Sequence, residues 1–557
     1  MKSNLSYVKF DPGWSLQDIP PLPDLPVYEI LRQSADRWPH KTALVCLGRN
    51  VTFAELDKLT DQLARSLTTL GVRKGDRVAT MLPNCIQHTI AYFAINKAGA
   101  VAMPVNVMYK EKEIEYQLKD SACDTIIALD SFYPLVEKVR KNAPIANVIL
   151  TNLKDFAEDG GDIPRLFASD KRTITGTHDF TALLAGQEAS PLSVDINPDD
   201  DLSLLLYTAG TTGVSKGVML SHKNIWAAAH PSKYIFDLTE DDVDMQVMPM
   251  FHASGYCLLQ LPVLYAGGTV VLIPLFHPED CLKLIDELKV TIIFAPPSLF
   301  IALLNHPGFP DHDLRGVRTA LSCGAPLPRA VKEKWDAVTG QYLYDGYGLT
   351  ETTAQGTAVL SMPLKRKPGA VGVVIGGELK VINDNGETVP RGTTGEVMFR
   401  GDGVAKGYWH KPEETEKSFT ADGWLHTGDA AYLDEEDFLY FVDRYKDLII
   451  TSGYNVAPLE VENVIMRHPG VIEASVIGVP DEYKGEAVVA YVSLKGEYRG
   501  KVSGPDIIAH CRRELATFKV PRVVEFLEEM PKNAVGKVLR RQLREINQRS
   551  ASGGEKQ

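Results

Sequence analysis

The chain has 557 residues, with Lys+Arg 59 against Asp+Glu 72 and a net charge of −13 at pH 7. That length exceeds what one hydrophobic core normally serves, so at least two domains are expected, and the acidic balance argues against a nucleic-acid partner. Seven cysteines, at positions 46, 85, 123, 257, 281, 323 and 511, show no paired spacing, which fits a reducing cytoplasm better than a disulfide framework or a zinc site.

Met1-Lys2-Ser3-Asn4-Leu5 opens the chain without an apolar run of secretory type. Thr52-Phe53-Ala54-Glu55 has the form of a capping box, and Leu56, Leu59, Leu63, Leu67 and Leu70 follow at helical spacing until Gly71 stops them. A strand is predicted over 77–82, a helix to about Ala98 and a strand over 101–105, the rhythm of an open α/β sheet. Apolar runs at 202–206 and 218–220 then flank Thr208-Ala209-Gly210-Thr211-Thr212-Gly213-Val214-Ser215-Lys216-Gly217. Glycines let backbone N–H groups turn inward, threonine hydroxyls donate to phosphoryl oxygens and a lysine supplies charge, so this reads as a phosphate-handling loop. It is not a Walker A loop, because Ser215-Lys216-Gly217 stands where Gly-Lys-Ser/Thr is needed, and on turn chemistry alone a hairpin is an equal reading.

Residues 258–276 carry no charge, but Pro262, Gly267-Gly268 and Pro274 break them into a turn and a buried strand rather than a membrane span. Short strand and turn signals over 378–437 predict a β-rich subdomain. Residues 447–557 have the size of an independent small α/β domain, with a frayed tail from Ser550. Arg540, Arg541, Arg544 and Arg549 are predicted to form a solvated helix face, since Val538, Leu539, Leu543 and Ile546 take the apolar positions.

Further motifs stand in order: Tyr347-Gly348-Leu349-Thr350-Glu351-Thr352, Trp424-Leu425-His426-Thr427-Gly428-Asp429, Asp443-Arg444-Tyr445-Lys446-Asp447 and Pro531-Lys532-Asn533-Ala534-Val535-Gly536-Lys537. With the threonine-rich loop, this series resembles the core motifs of the adenylate-forming enzymes, which include acyl-CoA synthetases, luciferases and the adenylation domains of peptide synthetases. The resemblance spans roughly residues 25–545. It implies an α/β protein with a large N-terminal domain, residues 1–445, built of two α/β sheets plus a β-rich subdomain. A hinge at Lys446 would join it to a small mobile C-terminal α/β domain, residues 446–557.

The same resemblance implies roles. Thr208, Thr211, Thr212 and Lys216 would hold the β- and γ-phosphates of ATP. Gly324, Ala325 and Pro326, with Asp345, Gly346, Tyr347 and Gly348, would form the adenine slot. Thr350 would contact the α-phosphate, Glu351 would ligate Mg²⁺, and Asp429 and Arg444 would grip the ribose. Lys537 would reach the carboxylate and α-phosphate when the small domain closes. His252 would line the path to an acyl pocket shared with Ala253, Gly255 and Tyr256, and the absence of an aspartate at His252 argues against an α-amino acid. Gly453, Tyr454 and Asn455 would help line a tunnel for coenzyme A. The expected activity is a cytoplasmic, two-step acyl-CoA synthetase for a medium- or long-chain fatty acid, with a cyclic or aromatic acid as the runner-up. A phosphotransferase releasing ADP is the rival from another class. A homodimer and peripheral membrane contact stay open.

Overall fold

The computed structural model describes residues 19–553 except 144, 159–160, 209–214, 359–366, 368, 452–453, 482 and 534–535. The helical pattern after Thr52 forms the helix Phe53–Thr69, and the Thr52 hydroxyl accepts from the Glu55 N–H at 3.2 Å. Only half of the capping box is made, because the Glu55 carboxylate pairs with Arg49 at 2.5 Å instead. Gly71 lies past the helix end with φ +97°, where a side chain would be strained. The strand Arg77–Met81, the helix Ile86–Lys97 and the strand Val101–Pro104 follow as predicted.

These elements belong to two large sheets. The first has seven strands, in the order His178–Asp179, Asn147–Thr151, Thr125–Leu129, Arg77–Met81, Val101–Pro104, Leu202–Thr208 and Lys216–Ser221, all parallel except the last pair. The second has nine, with a parallel centre running Leu343–Gly348, Thr319–Ser322, Ile292–Ala295, Val243–Gln246, Thr269–Leu272 and Thr42–Cys46. Every residue of Ile86–Lys97 is buried, because this helix touches strands of both sheets. Polar residues buried in such a place need partners, and its Lys97 is neutralised by Asp57 at 2.6 Å and Asp61 at 2.7 Å.

The uncharged stretch 258–276 resolves into pieces: a π-helical turn Ser254–Gln260, the helix Leu261–Ala266, a left-handed Gly267 and the strand Thr269–Leu272. A Cβ on Gly267 would sit 2.6 Å from the Trp38 ring, so packing as well as φ requires glycine there. Among the described residues no helix is long and apolar enough to cross a membrane. The β-rich region is a four-stranded antiparallel sheet of Glu378–Ile382, Gly395–Arg400, Leu425–Leu433 and Leu439–Arg444, so it runs past its predicted end at 437 to Arg444.

A one-turn 3₁₀ segment, Tyr445–Asp447, leads from this sheet into a separate five-stranded one. That sheet holds Ile449–Thr451, Tyr454–Val456, Val471–Asp481, Gly485–Leu494 and Val523–Phe526, with the helices Pro458–Ile465 and Gly504–Arg512 on its own apolar core. The final helix, Arg540–Gly553, runs further than the frayed tail expected from Ser550. The protein is therefore α/β throughout, with a large N-terminal body and a smaller C-terminal unit.

Candidate active site

The two walls predicted for an adenine slot are neighbours by register. Thr319–Ser322 and Leu343–Gly348 run parallel with Ser322 opposite Asp345, so the turn beginning at Cys323 lies beside the strand residues that follow Asp345. Loops at the carboxyl ends of parallel strands are where such folds place ligands. Gly324 has φ +82° and faces open space, while a Cβ on Gly348 would meet the Ala354 carbonyl at 2.2 Å. Ala325 and Pro326 follow half-buried. Burial pushes the Asp345 carboxyl up to about 7.

Tyr347 continues this wall, its ring 5.8 Å from Phe441, and its hydroxyl donates to Asp429 Oδ2 at 2.8 Å. Asp429 and Arg444 are opposite one another on adjacent antiparallel strands, with Nε to Oδ1 at 3.1 Å. Asp429 is buried, which raises its carboxyl pKa, and Arg444 and Lys537 oppose that shift.

Lys537 arrives from the C-terminal unit. Its backbone N–H donates to Asn533 Oδ1 at 2.9 Å, and a Cβ on the preceding Gly536 would lie 2.2 Å from Ser298 Oγ, so this loop sits directly on the N-terminal body. Burial and then the neighbouring Arg444 and Arg540 cations lower the Lys537 ammonium to about 8, with Asp429 acting against them. Lys537 in turn adds to the burial that lowers His252 to about 4, which leaves this imidazole neutral at pH 7. His252 Nδ1 accepts from the Ser254 N–H at 3.3 Å and lies 2.8 Å from Ser254 Oγ, so the ring proton is assigned to Nε2.

Thr208 and Lys216 are opposite each other where the hairpin leaves its strands, and Ser215 Oγ donates to the Thr208 carbonyl at 2.8 Å. Thr211 and Thr212 lie outside the described residues. Lys216 pairs with Glu414, and its ammonium stands 4.8 Å from the centre of the Tyr408 ring. The Tyr408 hydroxyl donates to Glu351 Oε1 at 2.9 Å. Neither Tyr408 nor Glu414 was expected from sequence; the one signal was a Gly407-Tyr408-Trp409 aromatic pair after a glycine. Thr350 and Glu351 share the 3₁₀ turn Thr350–Thr352, both half-buried.

Beside this cluster lies a cavity of about 40 Å³, lined by His252, Ser254, Leu258 and Tyr347 together with apolar Phe236, Leu321 and Ile375. Gly255 has no room for a side chain, since a Cβ would meet the Pro249 carbonyl at 2.1 Å, and Ala253 is buried. Tyr256, expected in the acyl pocket, is not among the residues lining this cavity: it is 1% exposed, with its ring 4.2 Å from Tyr92 and 6.3 Å from Phe93. Leu259, Leu261 and Val263 are core residues. Tyr454 and Asn455 are exposed on the C-terminal sheet, Tyr454 stacked on Phe518 at 4.5 Å, while Gly453 lies outside the described residues. Arg540 and Arg544 correct the expected solvated face, because both turn to acidic residues around the Tyr445–Asp447 segment; Arg541 stays exposed beside Glu545.

Asp429, buried and paired with a half-exposed Arg444, and Lys537, brought to it by a separate small unit, suit an enzyme that activates a carboxylic acid with a nucleotide. The chain belongs to the AMP-binding enzyme family: the family profile matches residues 31–409, and that of the AMP-binding enzyme C-terminal domain matches 460–537. It is similar to a long-chain-fatty-acid–CoA ligase of Bacillus subtilis (strain 168), 38% identical over 95% of this chain and 96% of that protein. One of the same name from Escherichia coli O6:H1 is 36% identical over 93% and 94%. Among solved structures, the anthranilate CoA ligase AuaEII in complex with anthranoyl-AMP superposes with a TM-score of 0.86 at 29% identity, covering 97% of this chain and all of that one. The protein is an AMP-forming acyl-CoA synthetase that uses ATP, Mg²⁺ and coenzyme A to activate a small-molecule carboxylic acid.

The Lys537 environment sets a pH dependence. In the role expected for Lys537, meeting the carboxylate and α-phosphate, the ammonium has to be charged, and in the free enzyme its lowered pKa of about 8 leaves it increasingly neutral above that pH. kcat/KM for ATP in acyl-AMP formation is therefore expected to fall above that pH. Bound polyphosphate favours the cation, so kcat should fall only at higher pH. Lys537→Arg, whose guanidinium does not titrate there, should lose the fall; its persistence would assign the titration to another group.

Proposed function

We propose that the acid is a medium- or long-chain fatty acid and that the small domain, residues 446–557, turns about Lys446 between two half-reactions. The observation that carries the substrate is the similarity over nearly the whole chain to ligases named for long-chain fatty acids, and the apolar Phe236, Leu258, Leu321 and Ile375 around the cavity support it.

In the first half-reaction the carboxylate attacks the α-phosphorus of ATP, acyl-AMP forms and pyrophosphate leaves. Asp429 accepts from the ribose hydroxyls with Arg444 beside it, the adenine lies along Tyr347, and Thr350 meets the α-phosphate. Lys216 exchanges Glu414 for the β- and γ-phosphates, in company with Thr208, Thr211 and Thr212. Lys537 meets the charge that develops between carboxylate and phosphorus. Glu351 suits Mg²⁺, a hard ion that takes a carboxylate and phosphate oxygens: one of its oxygens is held by Tyr408, and no cluster of three ligating side chains is found among the described residues. When bound there, Mg²⁺ would neutralise phosphate charge. In the second half-reaction the domain turns, Gly453, Tyr454 and Asn455 approach the cleft, and the thiol of coenzyme A displaces AMP.

A cyclic or aromatic acid is the second reading. The likeness to the anthranilate CoA ligase solved with anthranoyl-AMP, at 29% identity, favours it. A panel from butyrate to palmitate, with benzoate and cyclohexanecarboxylate, scored for CoA-dependent release of AMP and pyrophosphate separates the readings. Release of ADP would sink both.

Tyr256 lies in the chain between the lining residues Ser254 and Leu258, and Tyr256→Ala tests whether its ring bounds the acyl path. The expected result is a ranking shifted toward longer or bulkier acids by about 1–3 kcal/mol per methylene-sized group, with ATP affinity unchanged. A lowered melting temperature is also expected, since a fully buried aromatic is lost. Lower stability with an unchanged ranking would make Tyr256 a core residue only.

A further inference from the structure

One carboxylate reaches across the Tyr445–Asp447 turn. Asp443 is 3% exposed and belongs to the strand Leu439–Arg444 of the four-stranded sheet. Its Oδ1 accepts from the Arg444 N–H at 2.8 Å and from Arg540 Nη1 at 2.6 Å, and its Oδ2 accepts from the Leu459 N–H at 3.2 Å. Leu459 lies in the first turn of the helix Pro458–Ile465, whose cap residue, Ala457, has no side-chain acceptor. The orphan N–H of that helix start is thus satisfied by a carboxylate from the other side of the turn, and the negative charge suits the helix dipole. Arg540 opens the last helix, directly after the Lys537 loop. Its second amino group donates to Glu462 Oε1 at 2.9 Å, and Asp447 Oδ2 lies 3.8 Å from Nη1; both acids follow Lys446 in the chain.

We propose that Asp443 is a positioning residue for acyl-AMP formation: it caps Pro458–Ile465 and clasps Arg540 in the pose that brings Lys537 to Asp429, and releases both when the small domain turns to receive coenzyme A. The inference rests on the hinge reading above. Leu459, Glu462, Lys537 and Arg540 move together in such a rotation, while Asp443 stays with the four-stranded sheet. Release leaves no buried charge stranded on the moving side, because Arg540 keeps Glu462 and Asp447. On the fixed side Asp443 keeps the Arg444 N–H and gains water. Both lost contacts are charge-assisted, so they favour the Lys537-in pose without locking it. The same carboxylate orients the backbone of Arg444, whose guanidinium pairs with Asp429, so one side chain couples domain pose to the ribose grip.

The test uses the full-length enzyme with Asp443→Asn. Asparagine still offers a carbonyl to the Arg444 N–H, but it loses the charge facing Arg540 and presents an amide N–H₂ to Leu459. Acyl-AMP formation, followed by rapid quench, is expected to slow about 10- to 100-fold. Thioester formation from supplied acyl-AMP and coenzyme A should run at the wild-type rate or faster. A donor–acceptor dye pair spanning the two domains should report a smaller closed fraction before ATP is added. If the asparagine variant folds poorly, Arg540→Lys carries the same test, since it keeps a cation by Glu462 and gives up the forked contact. Equal slowing of both half-reactions, or no change in either, overturns the role of Asp443. A dye pair that never responds to ATP, acyl-AMP or coenzyme A overturns the hinge reading, and the latch falls with it.

Discussion

Lys537→Ala is expected to slow acyl-AMP formation on the order of 10²- to 10³-fold, the usual cost of removing one preorganised charge from a transition state. Thioester formation from supplied acyl-AMP should be spared. The asymmetry follows from position. Lys537 is held near Asp429 and His252 by a loop that touches the N-terminal body through Gly536 and Ser298, and any rotation of the small domain withdraws it. A cation present in one pose can stabilise only the step run in that pose. Folding should be unaffected, because burial and two neighbouring guanidinium groups already make this ammonium an uncomfortable cation; alanine relieves them of it. Rapid quench of each half-reaction is the measurement. Equal losses in both would mean that Lys537 acts on something common to the two steps, such as nucleotide affinity, and the assignment would fail.

The sequence carried most of the N-terminal architecture, for a reason visible in its elements. Phe53–Thr69 and Arg77–Met81 announce themselves through periodicity, capping and glycine stops, all of which act within a few residues. The site was legible in another way: resemblance pointed to Tyr347, Asp429, Arg444 and Lys537, and the structure brings these four to one cleft. What sequence could not give were contacts between distant segments. Arg540 and Arg544 sit at helical spacing opposite an apolar stripe, which describes a face but not what covers it. Their partners, Asp443 and Asp447, lie 97 positions away in each case. Tyr408 escaped for the same reason, since its value lies in touching both Glu351 and Lys216, which are far apart in the chain. The Glu55 capping residue failed more locally: a nearby guanidinium competes better for a carboxylate than a backbone N–H does.

Lys446→Pro is expected to leave acyl-AMP formation within about tenfold of wild type and to slow thioester formation by more than about 10²-fold. The backbone around this position forms the 3₁₀ turn Tyr445–Asp447 in the pose that holds Lys537 in the cleft. Proline fixes φ near −65°, inside the 3₁₀ range of about −50 to −70°, so it is compatible with that pose. Some strain falls on Tyr445, because the residue before a proline avoids the helical region, which accounts for a modest loss in the first step. The second step asks for more. Turning a domain of this size about a one-turn connection concentrates the dihedral change on a few residues, and proline removes one of the two soft dihedrals at its centre. The Arg540–Asp443 pair and the Asp443 cap on Leu459 would then be held closed, with Tyr454 and Asn455 kept out on the surface. Single-turnover assays that follow acyl-AMP and then acyl-CoA should show acyl-AMP accumulating on the enzyme. Thioester appearing at the wild-type rate would show that the chain turns elsewhere, and the hinge would have to be sought at Asp447 or beyond.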